Sequence, residues 1–158
     1  AGKVGHFGIS THTNQQAWLE AAIETGWYDL AMIAITPAGW FDLKQLRPME
    51  TDDGIKAQRP LLDKAREAGI GLIGMKAALF LAARPYQGVT DFDDKSPRAE
   101  AYDKYYDEAL MASGMTPFQR SYAYVLANGV DVMNSDMQNF KHFEENIVAA
   151  RTADTYVV

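Results

Sequence analysis

The stretch LLDKAREAGIGLIGM, residues 61–75, places a helix, a one-residue exit and an apolar strand directly after one another. Proline is favoured in the first helical turn, so Pro60 marks the start of a helix over Leu61–Ala68, and Gly69 marks its end. Ile70–Met75 is a nearly continuous apolar run, which is typical of a strand that is covered on both faces. A helix that returns to such a strand within one residue predicts a βα repeat with parallel strands.

The same unit recurs along the chain. Further strands are predicted at Val4–Ser10, Asp29–Ile35 and Val130–Met133. Further helices are predicted at Gln15–Thr25, Arg98–Ala112, Pro117–Ala127 and Phe140–Ala150. Four such units make half of a (β/α)₈ barrel. We therefore expect an α/β fold of TIM-barrel type, a half-barrel of four parallel strands with flanking helices, in a single domain over residues 1–158.

Loop lengths indicate where a ligand would bind. The strand-to-helix connections Thr36–Arg59 and Ala77–Pro97 are long, whereas the helix-to-strand turns have one or two residues. Long loops inside a compact domain are usually functional. Ligands of parallel α/β folds bind at the carboxyl ends of the strands, so we expect a site at that edge.

The composition argues against several classes of protein. The chain has 158 residues, 47% of them hydrophobic, a net charge of -6 and no cysteine. The negative charge disfavours a nucleic-acid partner, and the lack of cysteine excludes disulfides, thiolate catalysis and cysteine-bound metals within this sequence. No apolar run reaches the roughly 20 residues of a membrane span. We expect a soluble protein with no nucleic-acid and no membrane partner, and we favour the cytoplasm.

Four segments, in order, resemble the aldo-keto reductases. Gly2–His12 (GKVGHFGISTH) is similar to the family's fifth strand, and Leu19–Leu30 (LEAAIETGWYDL) to the next helix and the entry to strand six. Ala65–Ala77 (AREAGIGLIGMKA) and Thr116–Ile147 (TPFQRSYAYVLANGVDVMNSDMQNFKHFEENI) are similar to the seventh and eighth units. The resemblance implies an eight-stranded barrel that transfers a hydride from NADPH to a carbonyl. The family's catalytic Asp, Tyr, Lys and His come from the first four strands, so the resemblance implies no catalytic residue in this sequence.

The resemblance also implies cofactor contacts, residue by residue. Ser10 matches the family serine that faces the nicotinamide carboxamide, and Thr11 stands where many members have Asn. Glu145 and Asn146 match a Glu-Asn pair that contacts adenine. Lys76 ends the seventh strand, where a positive charge suits a cofactor phosphate or a substrate carboxylate. The expected cofactor is NADP(H) or NAD(H).

Departures from the family pattern predict weak cofactor binding. Met32 replaces the glutamine that bonds the carboxamide, and Met75 replaces the tyrosine that stacks on nicotinamide. Asp136 stands where members have Lys or Gly, and a carboxylate there repels a 2′-phosphate. Strand parity predicts His6 inside the barrel as a satisfied core residue. His12 follows the strand tip, where it is either a hydrogen-bond donor into the site or a solvated loop residue.

Two other interpretations stay open. The chain could be a catalytically inert half-barrel that serves as a structural or binding module, or a phosphate-binding barrel of aldolase type that uses Lys76. In each case four strands leave unpaired edges and an inner face without an opposite wall. We therefore expect a homodimer or tight association with an N-terminal half, in addition to a nicotinamide nucleotide.

Overall fold

The computed structural model describes residues 2–82, 96–135, 137 and 140–156. The strands are β1 Gly8–Thr11, β2 Leu30–Thr36, β3 Gly39–Asp42, β4 Arg47–Pro48, β5 Gly71–Met75 and β6 Val132–Asn134. The α-helices are α1 Gln15–Thr25, α2 Arg59–Glu67, α3 Glu108–Met111, α4 Pro117–Asn128 and α5 Phe140–Thr152. Short 3₁₀ turns occupy Gly54–Gln58, Leu79–Leu81, Asp103–Tyr105 and Ala153–Tyr156.

The strands form one open, mixed sheet. β1, β2, β5 and β6 are parallel neighbours in chain order. β3 pairs antiparallel with the end of β2, and β4 pairs antiparallel with β3. Within the described ranges β1 and β6 each have one neighbour, so the sheet is not closed. The predicted α/β class with flanking helices is confirmed.

The helices cover one face of the parallel strands. Ala31, Ile33 and Leu72 lie on that face and belong to the main hydrophobic core. The helices supply core side chains that include Leu19 of α1, Leu62 of α2, Val125 of α4 and Ala149 of α5. Burial of these apolar side chains, at about 25 cal/mol per Å², holds the helices against the sheet.

The sequence predicted the ends of α1 and α4 to within one residue, because residues next to those ends determine them. Gly26 ends α1 in the left-handed conformation, with φ of 63°, and its N–H donates to Ala22 O at 3.2 Å. Thr116 caps α4 through a capping box, in which its hydroxyl accepts from Gln119 N and the Gln119 side chain accepts from Thr116 N. Both helices are therefore fixed by residues within one turn of their ends.

The prediction of a single helix over Arg98–Ala112 is wrong. The chain first makes successive turns in which an N–H bonds the third carbonyl before it, for example Ala101 N to Arg98 O at 3.0 Å. A 3₁₀ turn and the short α3 follow. The Asp107 carboxylate accepts from Leu110 N at 2.7 Å and caps α3. This local bond starts a new helix, because an aspartate that caps cannot also continue the helix before it.

Both edge strands begin later than predicted. β1 starts at Gly8 rather than Val4, and β6 starts at Val132 rather than Val130. Two aspartates take up N–H groups at this end of the sheet. Asp29 accepts from Phe7 N at 2.8 Å, and Asp131 accepts from Leu72 N at 2.7 Å. The ladders therefore begin beyond these side-chain bonds.

The prediction that His6 lies in the interior is wrong. His6 precedes β1 and is exposed, and its Nδ1 lies 3.3 Å from a carboxylate oxygen of Asp29. Because His6 lies outside the ladder, the alternation of a strand does not decide where it points.

The long connection Thr36–Arg59 is confirmed, and it holds a hairpin that the sequence analysis missed. In the turn between β3 and β4, the Asp42 carboxylate accepts from Lys44 N at 2.7 Å and from Gln45 N at 3.1 Å. Phe41 of β3 packs against the face of the sheet that the helices leave free. In the second predicted connection, residues 83–95 lie outside the described ranges.

Candidate functional site

The four parallel strands present one row of side chains across the sheet. Ser10 lies opposite Met32 in the register, Met32 lies opposite Ile73, and Ile73 lies opposite Val132. Side chains alternate along a strand, so all four share the face away from the helices. We call this surface, defined by Ser10, Met32, Ile73 and Val132, the open face. Ser10 and Val132 are exposed on it, and Met32 and Ile73 are half-buried.

Loops cover the carboxyl end of the open face. Phe41 packs with Ala34 and Met75, and Leu79 and Phe80 from the following 3₁₀ turn join this cluster. Phe41 is 1% exposed and Met75 is 5% exposed. Met75, the residue that the resemblance compares with a stacking tyrosine, is therefore enclosed by protein side chains.

Gln15 joins the segments that frame this cluster. Its buried side-chain amide donates to Phe41 O at 2.6 Å, to Ala34 O at 3.1 Å and to His12 O at 3.3 Å. One side chain in the first turn of α1 thus ties together β2, β3 and the loop after β1. The sequence analysis missed this role, because a polar residue at a helix start is also what an exposed position would carry.

Thr11 lies on the opposite face from Ser10. It pairs with Ile33, is buried, and donates its hydroxyl to Thr13 O at 2.5 Å while accepting from Thr13 N at 3.2 Å. These bonds turn the chain from β1 toward α1. The structure therefore does not bring the Thr11 hydroxyl onto the open face beside Ser10.

Two basic residues follow the parallel strands. His12 comes directly after β1 and Lys76 directly after β5, and both are half-buried. Lys76 has a φ of 69°, a left-handed conformation that is costly for a residue with a Cβ. Partial burial lowers the pKa of His12, and the positive charge of Lys76 lowers that pKa further. Each of the two strands is therefore followed by a basic residue at the carboxyl end of the sheet.

Asn134 is a polar residue of this edge that the sequence analysis did not name. It ends β6 opposite Met75, is exposed, and its Nδ2 donates to Met32 Sδ at 3.8 Å. The predicted strand stopped at Met133, one residue short of it. A strand longer by that residue would have placed an amide on the open face.

Glu145 and Asn146 lie in α5, beside the other edge of the sheet from β1. The Glu145 carbonyl accepts from Gln119 Nε2 at 3.5 Å, and its carboxylate lies 3.9 Å from Lys141 Nζ. Asn146 lines a groove of about 340 Å³ whose other walls include Tyr122, Met133, Phe143 and Ile147. The predicted adenine contacts and Ser10 therefore occupy opposite edges of the parallel sheet.

Asp136 lies outside the described residues, so the expected repulsion of a 2′-phosphate stays a prediction. In the part of the chain that is described, no group of three or more His, Asp or Glu side chains could hold a metal ion. Nor does any helix there have the length and apolar character needed to cross a bilayer.

Comparisons with family models, curated proteins and solved structures give no match for this chain.

Proposed function

We propose that this chain forms the C-terminal half of a (β/α)₈ barrel, and that the complete protein is an aldo-keto reductase-like oxidoreductase that reduces carbonyl compounds with NAD(P)H. The observation that carries this proposal is the order of the parallel strands. β1, β2, β5 and β6 follow one another across the sheet in chain order, with the helices packed on one face. That arrangement is the repeat of a barrel.

The proposed cofactor contacts are Ser10, Thr11, Lys76, Glu145 and Asn146. To these we add Asn134, because its exposed amide lies beside Met32, the residue that replaces the family glutamine. An amide there can supply the carboxamide bond that a thioether cannot. Thr11 is the weakest member of the set, since its hydroxyl is engaged with Thr13.

Calorimetric titration of the chain with NADPH and NADH tests the cofactor proposal. Loss of one hydrogen bond in Ser10→Ala or Asn134→Leu should weaken binding roughly two- to tenfold, from about 0.5–1.5 kcal/mol per bond. Gln16→Leu removes an exposed amide of α1, which bonds Glu20, and should leave the affinity unchanged. An equal loss in all three variants would contradict a site on the open face.

The isolated chain should not reduce aldehydes or quinones. Without an acid to protonate the developing alkoxide it lacks a contribution of roughly 10²- to 10⁴-fold to the rate. The absorbance of NADPH, followed with a panel of both substrate classes, measures this directly. Robust turnover would mean that the chain holds its own catalytic groups and is not half of a reductase.

A second candidate is a catalytically inert half-barrel that assembles with a copy of itself as a structural or binding module. Exposed apolar side chains at both edges of the sheet favour it. They are Val4, Phe7, Trp18 and Trp27 near β1, and Val132, Phe140, Phe143 and Val148 near β6. Single exposed apolar residues are ordinary, but groups of them at unpaired strand edges indicate surfaces that a partner covers.

Light scattering at low micromolar concentration tests this candidate. Leu30 on β2 is 44% exposed and Met111 on α3 is 42% exposed. If copies associate through the sheet, Leu30→Asp should shift the population toward the monomer, because a carboxylate would be buried without a partner. Met111→Asp, a matched change away from the sheet, should not. A chain that is monomeric before any change would exclude self-assembly.

A further inference from the structure

We infer that His12 and Lys76 form a subsite for a carboxylate at the carboxyl ends of β1 and β5. The assignment of this carboxylate to the carbonyl substrate rests on the proposed function, and it makes the substrate an oxo acid. The binding site itself is argued from four features of the described residues.

The first feature is position. Thr11 lies opposite Ile33, and Ile33 lies opposite Gly74, so His12 and Lys76 leave β1 and β5 within one residue of the same level. One strand, β2, separates them, which corresponds to about 10 Å between backbones. Lysine and histidine side chains can reach a small group held between two such points. Both residues flank the covered end of the open face.

The second feature is the backbone of Lys76. A glycine would adopt a φ of 69° without cost, whereas a lysine there costs about 1–3 kcal/mol. Leu79 N donates to Lys76 O at 3.1 Å, so the left-handed residue opens the turn that leads into Leu79–Leu81. Strain of this kind is found where a side chain is needed at a fixed point.

The third feature is that no counter-charge is found among the described residues. The ion pairs of the described residues occupy Lys104, Lys141, His6 and the arginines at 59, 66 and 120. In the same part of the chain no carboxylate lies within 4 Å of Lys76 or His12. The positive charge of Lys76 disfavours the charged form of the half-buried His12. A bound anion reverses that penalty, so the pair is built to receive one.

The fourth feature is the size of the charge. His12 has a pKa lowered by burial and by Lys76, so at neutral pH the pair offers one positive charge and one neutral N–H donor. This set suits a monoanion better than a phosphate monoester, which carries nearly two charges. A net charge of -6 on the chain disfavours a dianion further. The half-buried Met32, Leu79 and Phe80 beside the Met75 cluster favour an apolar body next to the carboxylate.

Calorimetric titration with phenylpyruvate and phenylacetone tests the subsite. The two ligands differ only in that a methyl group replaces the carboxylate. We expect phenylpyruvate to bind at least tenfold more tightly, since charge-assisted hydrogen bonds are the strong ones. Equal affinities on the unaltered chain would overturn the inference, and this comparison needs no variant to fold.

Variants then assign the binding to the pair. Lys76→Met should remove the preference for phenylpyruvate, Lys76→Arg should retain most of it, and Lys141→Met on α5 should change nothing. Far-ultraviolet circular dichroism checks that each variant is folded. If Lys141→Met loses as much of the preference for phenylpyruvate as Lys76→Met does, the effect is one of general charge, and the assignment to the pair is overturned. If inorganic phosphate displaces phenylpyruvate, but chloride at equal ionic strength does not, the subsite binds phosphate and its assignment to a carboxylate is overturned.

The outcomes separate this inference from the proposed function, because no nucleotide is needed. Phenylpyruvate binding without any NADPH or NADH binding would keep the subsite and remove the support for a reductase. Nucleotide binding with no preference between the two ligands would do the reverse.

Discussion

The two ends of the open face differ in what covers them. At the carboxyl end, Ala34 and Met75 are enclosed by Phe41 of the hairpin. At the amino end, Leu30 is 44% exposed and Val132 is 55% exposed. The same strands carry apolar side chains at both ends, so the strands themselves do not explain the difference. The hairpin and the turn after β5 cover one half of this surface, whereas the described residues leave the other half exposed.

The largest effect that tests this comparison comes from shortening one apolar side chain at each end of the open face. Phe41→Ala should destabilise the fold by about 3–5 kcal/mol, because it leaves a cavity beside Ala34 and Met75. Leu30→Ala should cost less than about 1 kcal/mol, because much of that side chain already contacts water. Urea unfolding of both variants at one protein concentration gives the two values.

Equal costs for Phe41→Ala and Leu30→Ala would contradict the difference between the two ends. A cost of Leu30→Ala that rises with protein concentration would sharpen the comparison instead, because linked association makes stability depend on concentration. That result would identify the amino end as part of an interface between copies.

A second effect tests how the covered end is held. Gln15→Leu should cost about 1–3 kcal/mol, because the carbonyls of Phe41 and Ala34 lose a buried donor. The neighbouring Gln16→Leu alters an amide whose bond to Glu20 is exposed, and it should change the stability by less than about 0.5 kcal/mol. The same urea series measures both. If Gln15→Leu costs no more than its neighbour, the amide does not hold the hairpin on the sheet.

The sequence located the elements whose ends are set locally. α1 begins and ends at the predicted residues, and α4 begins at the predicted Pro117. The hairpin was missed because β3 has four residues and β4 has two, so neither shows an alternation long enough to predict a strand. Arg98–Ala112 was misjudged because a helical pattern there competes with the cap at Asp107.

The candidate site was predictable only as a position. That ligands bind at the carboxyl ends of parallel strands follows from the fold class, and Ser10 and Lys76 were placed there from sequence. The common level of His12 and Lys76, and the three carbonyls that meet at Gln15, depend on the register of β1, β2 and β5. Register is a property of strand pairing and is not encoded within any one of these segments.

The smallest effect concerns pH and again probes the carboxyl end. His12 has a lowered pKa in the folded chain, so below its ordinary value of 6.5 the unfolded chain takes up a proton first. The stabilisation that His12 gives as a neutral group is therefore complete above pH 6.5 and is lost as the pH falls through its lowered pKa. The lowered pKa of Asp29 affects the stability in a separate pH range, below pH 3.8. Urea unfolding between pH 7.5 and about pH 5 should show a decline that His12→Gln reduces and His6→Gln, a change at an exposed histidine, does not. An identical decline in the unaltered chain and in His12→Gln would show that burial and the charge of Lys76 do not lower the pKa of His12 in solution.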